Sequence, residues 1–249
     1  MTTLHYPNTP ITEAIIDLRV KPAEGVDRAL LKQVGEGEEA EYPRQEEVVE
    51  AVGQMAVGPG GGSASVQQTP IGWKFISEDR KQIVQSRVNG FTFSRLAPYE
   101  SWNPFRHEAK RLWEVYRRTL NPVSVVRVAV RYINRIDIPG DSVDLKDYFR
   151  TSPEIAADLP QQLDGYFMQL RLPYPDVSGH CVINQTIVPP ARENVVSVVL
   201  DIDLFRTLDL PQHEEGIWSF FEKLHAAKNY IFETCITDSA RRVFSSCQS

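Results

Sequence analysis

The sequence predicts an α+β protein built from two pseudo-repeated strand–helix–three-strand–helix units, with antiparallel sheets covered by helices. Segments in which apolar and polar residues alternate, as they do in strands, follow one another in the same order in both halves of the chain. A long amphipathic helix closes each half and carries a tryptophan early on its apolar face, Trp113 or Trp218. This order indicates an internal duplication, with repeats at residues 1–121 and 122–249 packed as one globular unit.

The first repeat opens with a strand over residues 11–20, in which apolar residues alternate with polar ones. A short helix is predicted over 26–34, and a further helical turn or two over 45–52. Glycine, serine and proline dominate residues 56–70, so we expect a flexible insertion at about 53–71. These glycines do not indicate a phosphate-binding loop, because no Gly-Lys-Ser/Thr sequence follows them.

A three-stranded meander is predicted next, with strands over residues 73–77, 81–88 and 91–96. Asn89 and Gly90 form the dipeptide typical of a type I′ turn, which requires positive φ at both positions.

The helix that closes the first repeat is the clearest element in the sequence. Ser101 and Asn103 are both N-cap residue types, and Pro104 suits the first helical position. The Asn121-Pro122 pair ends the helix, since the residue before a proline avoids the α region. One apolar stripe runs along it: Phe105, Ala109, Leu112, Trp113 and Tyr116.

The second repeat begins with a long strand that ends at Pro139. Its predicted core side carries Val126, Val128, Val130, Tyr132, Ile136 and Ile138, interrupted by Asn134. The remaining predicted elements are a helix over 144–149, strands over 165–173, 180–188 and 194–204, a long helix over 212–232, and a short helix or strand in the tail.

Composition is ordinary for a soluble globular protein, with 42% hydrophobic and 24% charged residues. No apolar run is long enough to span a membrane, and the first residues lack the pattern of a signal peptide. Cys181, Cys235 and Cys247 are widely spaced, which favours free thiols in a reducing cytoplasm over disulfides or a zinc site. We therefore expect a cytoplasmic protein with no metal and no cofactor.

The net charge of −6 hides an uneven distribution. Residues 81–150 carry a net charge of +6, whereas residues 1–80 and 151–249 each carry −6. The basic middle of the chain keeps an anionic partner open as an alternative.

The sequence contains no common catalytic signature, neither a zinc-protease, nucleophile-elbow or dinucleotide motif nor a Walker motif. His213 beside Glu214 and Glu215 resembles the start of a metal site, but acidic residues at a helix N-terminus are favoured by the helix dipole alone. Asp201 and Asp203 share one strand face, and a solvated strand edge explains them more simply than a pair of catalytic carboxylates.

The best candidate site is a row of arginines on one face of the long strand: Arg127, Arg131 and Arg135. Arg87 and Arg95 would enlarge this patch if their strands lie beside it. The functional interpretation is an anionic ligand, such as a phosphate, nucleic acid or an acidic protein surface, which the guanidinium fork suits. The simpler alternative is pairing with the protein's own acids, such as the glutamates of residues 36–50, or packing of the arginine stems under a helix.

Several segments resemble a sporadically distributed prokaryotic protein family of about 250 residues with no assigned biochemical function. They are N-T-P-I-T-E-A-I-I-D-L-R-V near the start, F-T-F-S-R-L-A-P-Y-E-S-W in the middle, V-V-R-V-A-V-R-Y-I-N-R-I-D-I-P after the helix, and the closing long helix. The most specific part of the resemblance is R-Y-I-N-R-I. It implies no established catalytic residues, and it implies an accessory role in bacterial antiviral defence or toxin control.

Three functions follow from these observations. The first is a non-enzymatic binding or regulatory module for a co-encoded protein or for a second copy of the chain. The second is a nucleotide- or RNA-binding protein that uses the arginine row. The third is an enzyme of unrecognised class, with Asp137, Asp201 or Asp203 in a cleft between the repeats.

Overall fold

A single antiparallel sheet organises residues 6–58 and 61–245, which are the residues that the computed structural model describes. Its nine strands, in chain order, are β1 (Ile11–Lys21), β2 (Arg44–Gly58), β3 (Gly61–Ile76), β4 (Gln82–Arg87), β5 (Gly90–Leu96), β6 (Ser124–Pro139), β7 (Phe167–Tyr174), β8 (Gly179–Val188) and β9 (Val195–Arg206). They lie side by side in the order β2-β3-β4-β5-β1-β6-β9-β8-β7. The predicted combination of helices with antiparallel strands is confirmed. The strands form one continuous sheet, whereas more than one sheet was expected.

Four α-helices belong to the same described part of the chain: α1 (Leu30–Gln33), α2 (Trp102–Leu120), α3 (Glu214–Cys235) and α4 (Asp238–Ser245). The two long helices match the predicted ones closely. The helix predicted over 26–34 shrinks to the single turn α1, and the one predicted over 144–149 shrinks to a 3-10 turn at Leu145–Asp147. The tail was expected to form a short helix or a strand, and it forms the helix α4.

Strand β1 joins the two halves of the chain, because it pairs with β5 on one side and with β6 on the other. Its alternate residues Ala14, Ile16 and Leu18 are completely buried, as the alternating pattern predicts. These side chains lie on what we call the apolar face of the sheet.

Aromatic side chains of α2 pack on this apolar face. The ring of Trp113 lies 5.8 Å from that of Phe91 on β5, and Phe105 stacks on Phe93 at 5.3 Å. Each fully buried ring stabilises the fold by roughly 1.5–3 kcal/mol relative to an exposed one. The apolar stripe predicted for α2 is therefore confirmed, and all five of its residues are buried.

The helical turns predicted over 45–52 are wrong, because β2 and β3 form a long hairpin there. Its register runs from the pair Arg44 and Ile76 to the pair Gly58 and Gly61, so the segment expected to be a flexible insertion, about 53–71, is mostly strand. A ladder is held by backbone hydrogen bonds, which glycine and serine can also make, so composition alone mispredicted this hairpin.

The turn before β5 lies one residue earlier than predicted. Arg87 pairs with Gly90 across it, so Val88 and Asn89 form the turn, and neither Asn89 nor Gly90 has positive φ. Gly90 is required for a different reason, since a Cβ at this position would lie 2.7 Å from the carbonyl oxygen of Leu18.

Two further details of the predicted elements are wrong. In β6, Arg127 pairs with Arg19 but Val125 pairs with Val20, so Val126 is the extra residue of a bulge. Val126 is therefore exposed, and Val125 is buried in its place. Helix α2 begins at Trp102, which makes Pro104 its third residue; the missing N–H is still harmless there, because first-turn amides have no partner within the helix.

Candidate functional site

The predicted arginine row lies on the face of the sheet opposite the apolar one, which we call the arginine face. Successive side chains of a strand point to opposite faces, so Asp17 on β1 and Asp201 and Asp203 on β9 share this face with the arginines of β6. Arginine and aspartate side chains therefore alternate across the middle of the sheet. The arginine–aspartate network consists of Arg19, Arg87, Arg127, Arg131, Arg135, Asp17, Asp137, Asp201 and Asp203.

Arg127 lies at the centre of the network, between the two halves of the chain. Its Nη1 donates to Asp17 Oδ1 at 2.7 Å, and its Nη2 donates to both carboxylate oxygens of Asp203, at 2.8 and 3.1 Å. The guanidinium carbon also lies 4.5 Å from the centre of the Phe205 ring, a cation–π contact. One arginine thus bridges β1 and β9 across β6.

Arg131 makes a two-pronged bond to Asp201, from Nε at 2.8 Å and from Nη2 at 2.7 Å. The hydrogen bonds and charge of Asp201 raise the pKa of Arg131, so the group stays cationic. Asn184 on β8 donates to the same carboxylate at 2.9 Å, and Gln169 on β7 donates to Asn184 at 2.8 Å. This branch carries the polar network to the edge of the sheet.

Arg135 is held by three groups. Its Nε donates to Asp137 Oδ1 at 3.0 Å, and its Nη2 donates to the carbonyl oxygen of Pro189 at 2.8 Å and to Ser197 Oγ at 3.0 Å. Ser197 in turn donates to Asp137 at 2.5 Å. All three arginines of the predicted row are therefore anchored on the same face.

Arg87 joins the network from β4, as the sequence suggested. Its Nη2 donates to Asp17 Oδ2 at 3.3 Å and to Thr92 Oγ1 at 2.6 Å. Burial lowers the pKa of Arg87, and the nearby charge of Arg19 lowers it further.

Arg95 lies elsewhere, so its expected place in the patch is wrong. It pairs across the sheet with Ala14, and residues that pair share a face, so Arg95 lies on the apolar face. Its guanidinium forms a salt bridge to Glu100 at 3.5 Å.

Arg127 and Arg131 pair with aspartates of neighbouring strands, and Arg135 pairs with Asp137 of its own strand. The glutamates of residues 36–50 are not among these partners. Two of those glutamates, Glu38 and Glu41, instead bond Arg111 on α2 at 2.7 and 3.0 Å. The sequence could not separate these two patterns, because the pairing of strands decides which aspartates lie beside an arginine.

The three aspartates considered for catalysis all belong to the network. Asp137 bonds Arg135, Asp201 bonds Arg131, and Asp203 bonds Arg127. Burial raises the pKa of Asp203 despite the opposing effect of Arg127 and Arg131. The carboxylates thus hold arginines in place, and they lie on the sheet where β6 pairs with β9.

A buried lysine is the feature that sequence reasoning missed. Lys228 continues the apolar stripe of α3, and burial lowers its pKa to about 7. On the preceding turn, burial and, to a smaller extent, Lys228 lower the pKa of His225 to about 3. The His225 ring stacks on that of Trp102 at 4.3 Å. The regular spacing Phe221, Leu224, Lys228, Ile231 would have revealed a charged residue within a core stripe.

Cys181 and Cys235 are buried free thiols, as expected, whereas Cys247 lies outside the described residues. Burial raises the pKa of Cys181 to about 12 and that of Cys235 to about 11. Within the described ranges, no group of three His, Cys, Asp or Glu residues is arranged to hold a metal ion, and no helix is long and apolar enough to cross a membrane.

Comparison of the chain with protein-family models and with curated proteins finds no match. The geometry of the arginine–aspartate network therefore carries the functional argument.

Proposed function

We propose that this protein is a non-enzymatic binding or regulatory module that recognises a protein partner through its arginine face. The observation that carries the proposal is that the network holds charged side chains in fixed positions before a partner arrives. Arg127 is bonded to two aspartates, and Arg131 is bonded to Asp201 through two nitrogens. Side chains that are already ordered lose less conformational entropy on binding, so more of the contact energy remains as affinity.

The charge balance favours a protein over a nucleic acid. Five arginines of the network lie among four aspartates, so the surface is a mosaic of both signs and not a basic patch. Nucleic-acid binding relies on cations that are free to neutralise phosphates. A patterned surface of both signs instead selects a partner with the complementary pattern.

Parts of the network remain accessible to such a partner. The Arg131 side chain is 43% exposed, whereas that of Asp201 beneath it is nearly buried. On the same face, the register runs from Arg135 through Val199 and Thr186 to Phe167 on β7. Phe167 lies three strands from Arg135 and is 68% exposed, and exposed aromatic rings are enriched at protein interfaces.

The proposed partner is a co-encoded protein or a second copy of the chain. This proposal agrees with the accessory role in bacterial defence or toxin control that the sequence resemblance implies. Electrostatic recognition of this kind weakens as salt rises, so the complex should be sensitive to ionic strength.

We also propose that the two halves are structural repeats, with helices covering the apolar face. The order β3-β4-β5-β1 in the first half corresponds to β7-β8-β9-β6 in the second, and β2 is an addition to the first. Helix α2 contacts Phe91 and Phe93, and α3 contacts Tyr132, all on the apolar face. The network then forms where the first strands of the two repeats meet.

The test is a pull-down from the native host with wild type, Arg131→Glu and the control Arg118→Glu, at low and moderate salt. Arg118 is an exposed arginine on α2 that pairs with Glu114. Its replacement by glutamate makes the same change of charge at a position outside the network. We expect one stoichiometric protein with wild type and the control, and its loss with Arg131→Glu.

The captured protein is then purified, and its affinity is measured by calorimetry. An affinity that Arg131→Glu leaves unchanged would contradict the proposal. Recovery of RNA or a nucleotide that is lost with Arg131→Glu would replace it with the nucleic-acid alternative.

A further inference from the structure

We propose a second binding site, in a cavity between β5 and the beginning of α2, that takes a small carboxylate with an apolar body. Arg95 supplies the positive charge for this carboxylate. The cavity has a volume of about 280 Å³ and lies on the apolar side of the sheet. It is thus separate from the arginine–aspartate network, and the inference goes beyond the proposed function.

Aromatic rings form the wall of the cavity. Phe93 stacks on Phe105 with ring centres 5.3 Å apart, and Tyr99 meets the edge of Phe105 at 5.7 Å. Small-molecule sites are usually lined by such apolar groups, with a few polar groups that set the orientation. This wall suits the hydrocarbon part of a ligand, and the volume restricts that ligand to about the size of an aromatic amino acid.

Arg95 is the polar group that points to the ligand's charge. Its side chain is only 17% exposed, and the one salt bridge that it forms with a described residue, to Glu100, spans 3.5 Å. A guanidinium carries five N–H donors, and none of those on Arg95 forms a hydrogen bond with a described residue within the usual range. A ligand carboxylate could satisfy two of these donors at once, which is the geometry that arginine favours.

The beginning of α2 adds to the attraction for a carboxylate. Ser101 is the N-cap residue and lines the cavity, but its side chain forms no capping hydrogen bond. The first turn of α2 also contains no acidic residue, so the positive end of the helix dipole favours an anion in this region.

Glutamates also line the cavity, and their contacts decide against a cationic ligand. Glu108 accepts hydrogen bonds from Tyr42 at 2.8 Å and from two nitrogens of Arg111 at 3.0 and 2.8 Å. Glu41 also bonds Arg111, at 3.0 Å. Glu100 is 71% exposed, so a ligand carboxylate can displace it from Arg95 into solvent.

Calorimetry with matched probes tests this inference. Phenylpropanoate and hexanoate carry the proposed carboxylate, and phenylpropylamine and hexylamine carry the opposite charge on a similar body. We expect a carboxylate to bind with a Kd of about 1 mM or tighter and the amines not to bind. Amines that bind as well as the carboxylates, or no binding by any probe, would overturn the proposal.

Two variants assign the binding to Arg95. Arg95→Gln should weaken carboxylate binding by at least about tenfold, a loss of about 1.4 kcal/mol, whereas the control Arg118→Gln should bind as wild type does. Circular dichroism checks that each variant is folded. An unchanged affinity in folded Arg95→Gln would overturn the proposal.

The complementary variant is Glu100→Gln, which removes the carboxylate that competes for Arg95. It should strengthen carboxylate binding severalfold, and it keeps the test decisive if Arg95→Gln does not fold. Equal or weaker binding by Glu100→Gln would also overturn the proposal. Neither variant touches the arginine–aspartate network, so a failure here is distinct from a failure of the proposed protein-binding function.

Discussion

The ammonium nitrogen of Lys228 on α3 lies 3.6 Å from the centre of the Tyr132 ring on β6. A buried lysine is usually paired with a carboxylate, but Lys228 forms no salt bridge with any carboxylate of the described residues. The cation–π contact takes the place of that salt bridge. The hydroxyl of Tyr132 lies 3.1 Å from that of Tyr99, so the ring itself is fixed. Burial lowers the pKa of Lys228 to about 7, and the more distant Glu233 offsets only part of this effect.

We predict that Lys228→Met stabilises the protein near neutral pH by roughly 1–4 kcal/mol, because it replaces a buried amine with an apolar chain of similar length. In the unfolded chain the amine has the ordinary lysine pKa of 10.5, and in the folded protein about 7. Between these values the unfolded state binds more protons, so wild-type stability rises with pH across this window.

The advantage of Lys228→Met should therefore be complete below about pH 7 and shrink towards about pH 10. Urea unfolding of both proteins at about pH 6.5 and 9.5 measures it, and effects of other groups cancel in the difference. An advantage that is the same at both pH values would contradict the lowered pKa.

Replacement of His225 by phenylalanine should protect the fold from acid. The folded-state pKa is about 3 and the ordinary value is 6.5, so the unfolded chain takes up a proton that the folded protein refuses in this range. This uptake progressively lowers the free energy of unfolding of the wild type as pH falls below about 6.5. Phenylalanine keeps a ring against Trp102. The free energy of unfolding of the variant relative to wild type should therefore be roughly 1–2 kcal/mol higher at about pH 5 than at neutral pH.

Denaturant midpoints of His225→Phe and wild type, compared from about pH 7 to 4, check this prediction. Parallel curves for the two proteins would show that another group causes the acid sensitivity.

Removal of the central arginine of the network should destabilise the sheet. Arg127→Met leaves Asp17 and Asp203 without their shared cation, and we expect a loss of roughly 1–3 kcal/mol, moderated because the site is partly exposed. The control Arg118→Met, at an exposed helical pair, should change stability by less than about 0.5 kcal/mol.

Thermal or urea unfolding measures both variants. Adding Asp203→Asn to Arg127→Met should restore part of the loss, because it removes one of the unpaired charges. A double variant no more stable than Arg127→Met would show that this ion pair does not explain the loss.

Gly90→Ala should destabilise the protein by roughly 1–3 kcal/mol, because the new methyl group would meet the backbone of β1 at Leu18. Gly165→Ala is the matched control, since nothing lies within 4 Å of the position that its methyl group would take and its φ is not positive. Equal unfolding midpoints for the two variants would contradict the close approach of β5 and β1.

Elements with strong periodicity could be predicted from the sequence. The apolar stripe of α2 and the alternation in β1 gave their bounds nearly correctly, because burial of one face dictates those patterns. The β2–β3 hairpin was not predicted, since its glycines and serines carry no such pattern. The predicted burial of Val126 was wrong because a bulge depends on the partner strand.

The candidate site was found only in part for a related reason. A row of arginines on one strand is visible in the sequence, but the aspartates that hold Arg127 come from strands far away in the chain. Whether Arg95 joins them depends on its register against Ala14, which local pattern does not determine. Lys228 was visible in principle, as a charge at a core position of α3.

The central place of β1 has a consequence for synthesis on the ribosome. This strand is made before the other eight, yet one of its two neighbours, β6, is made only after α2, with Val130 pairing to Ile16. Such distant pairing closes a long loop and slows folding, and until then one edge of β1 and its apolar residues stay uncovered. The nascent first half is thus the stage at which a chaperone would be needed most, since unpaired edges and exposed apolar surface promote aggregation.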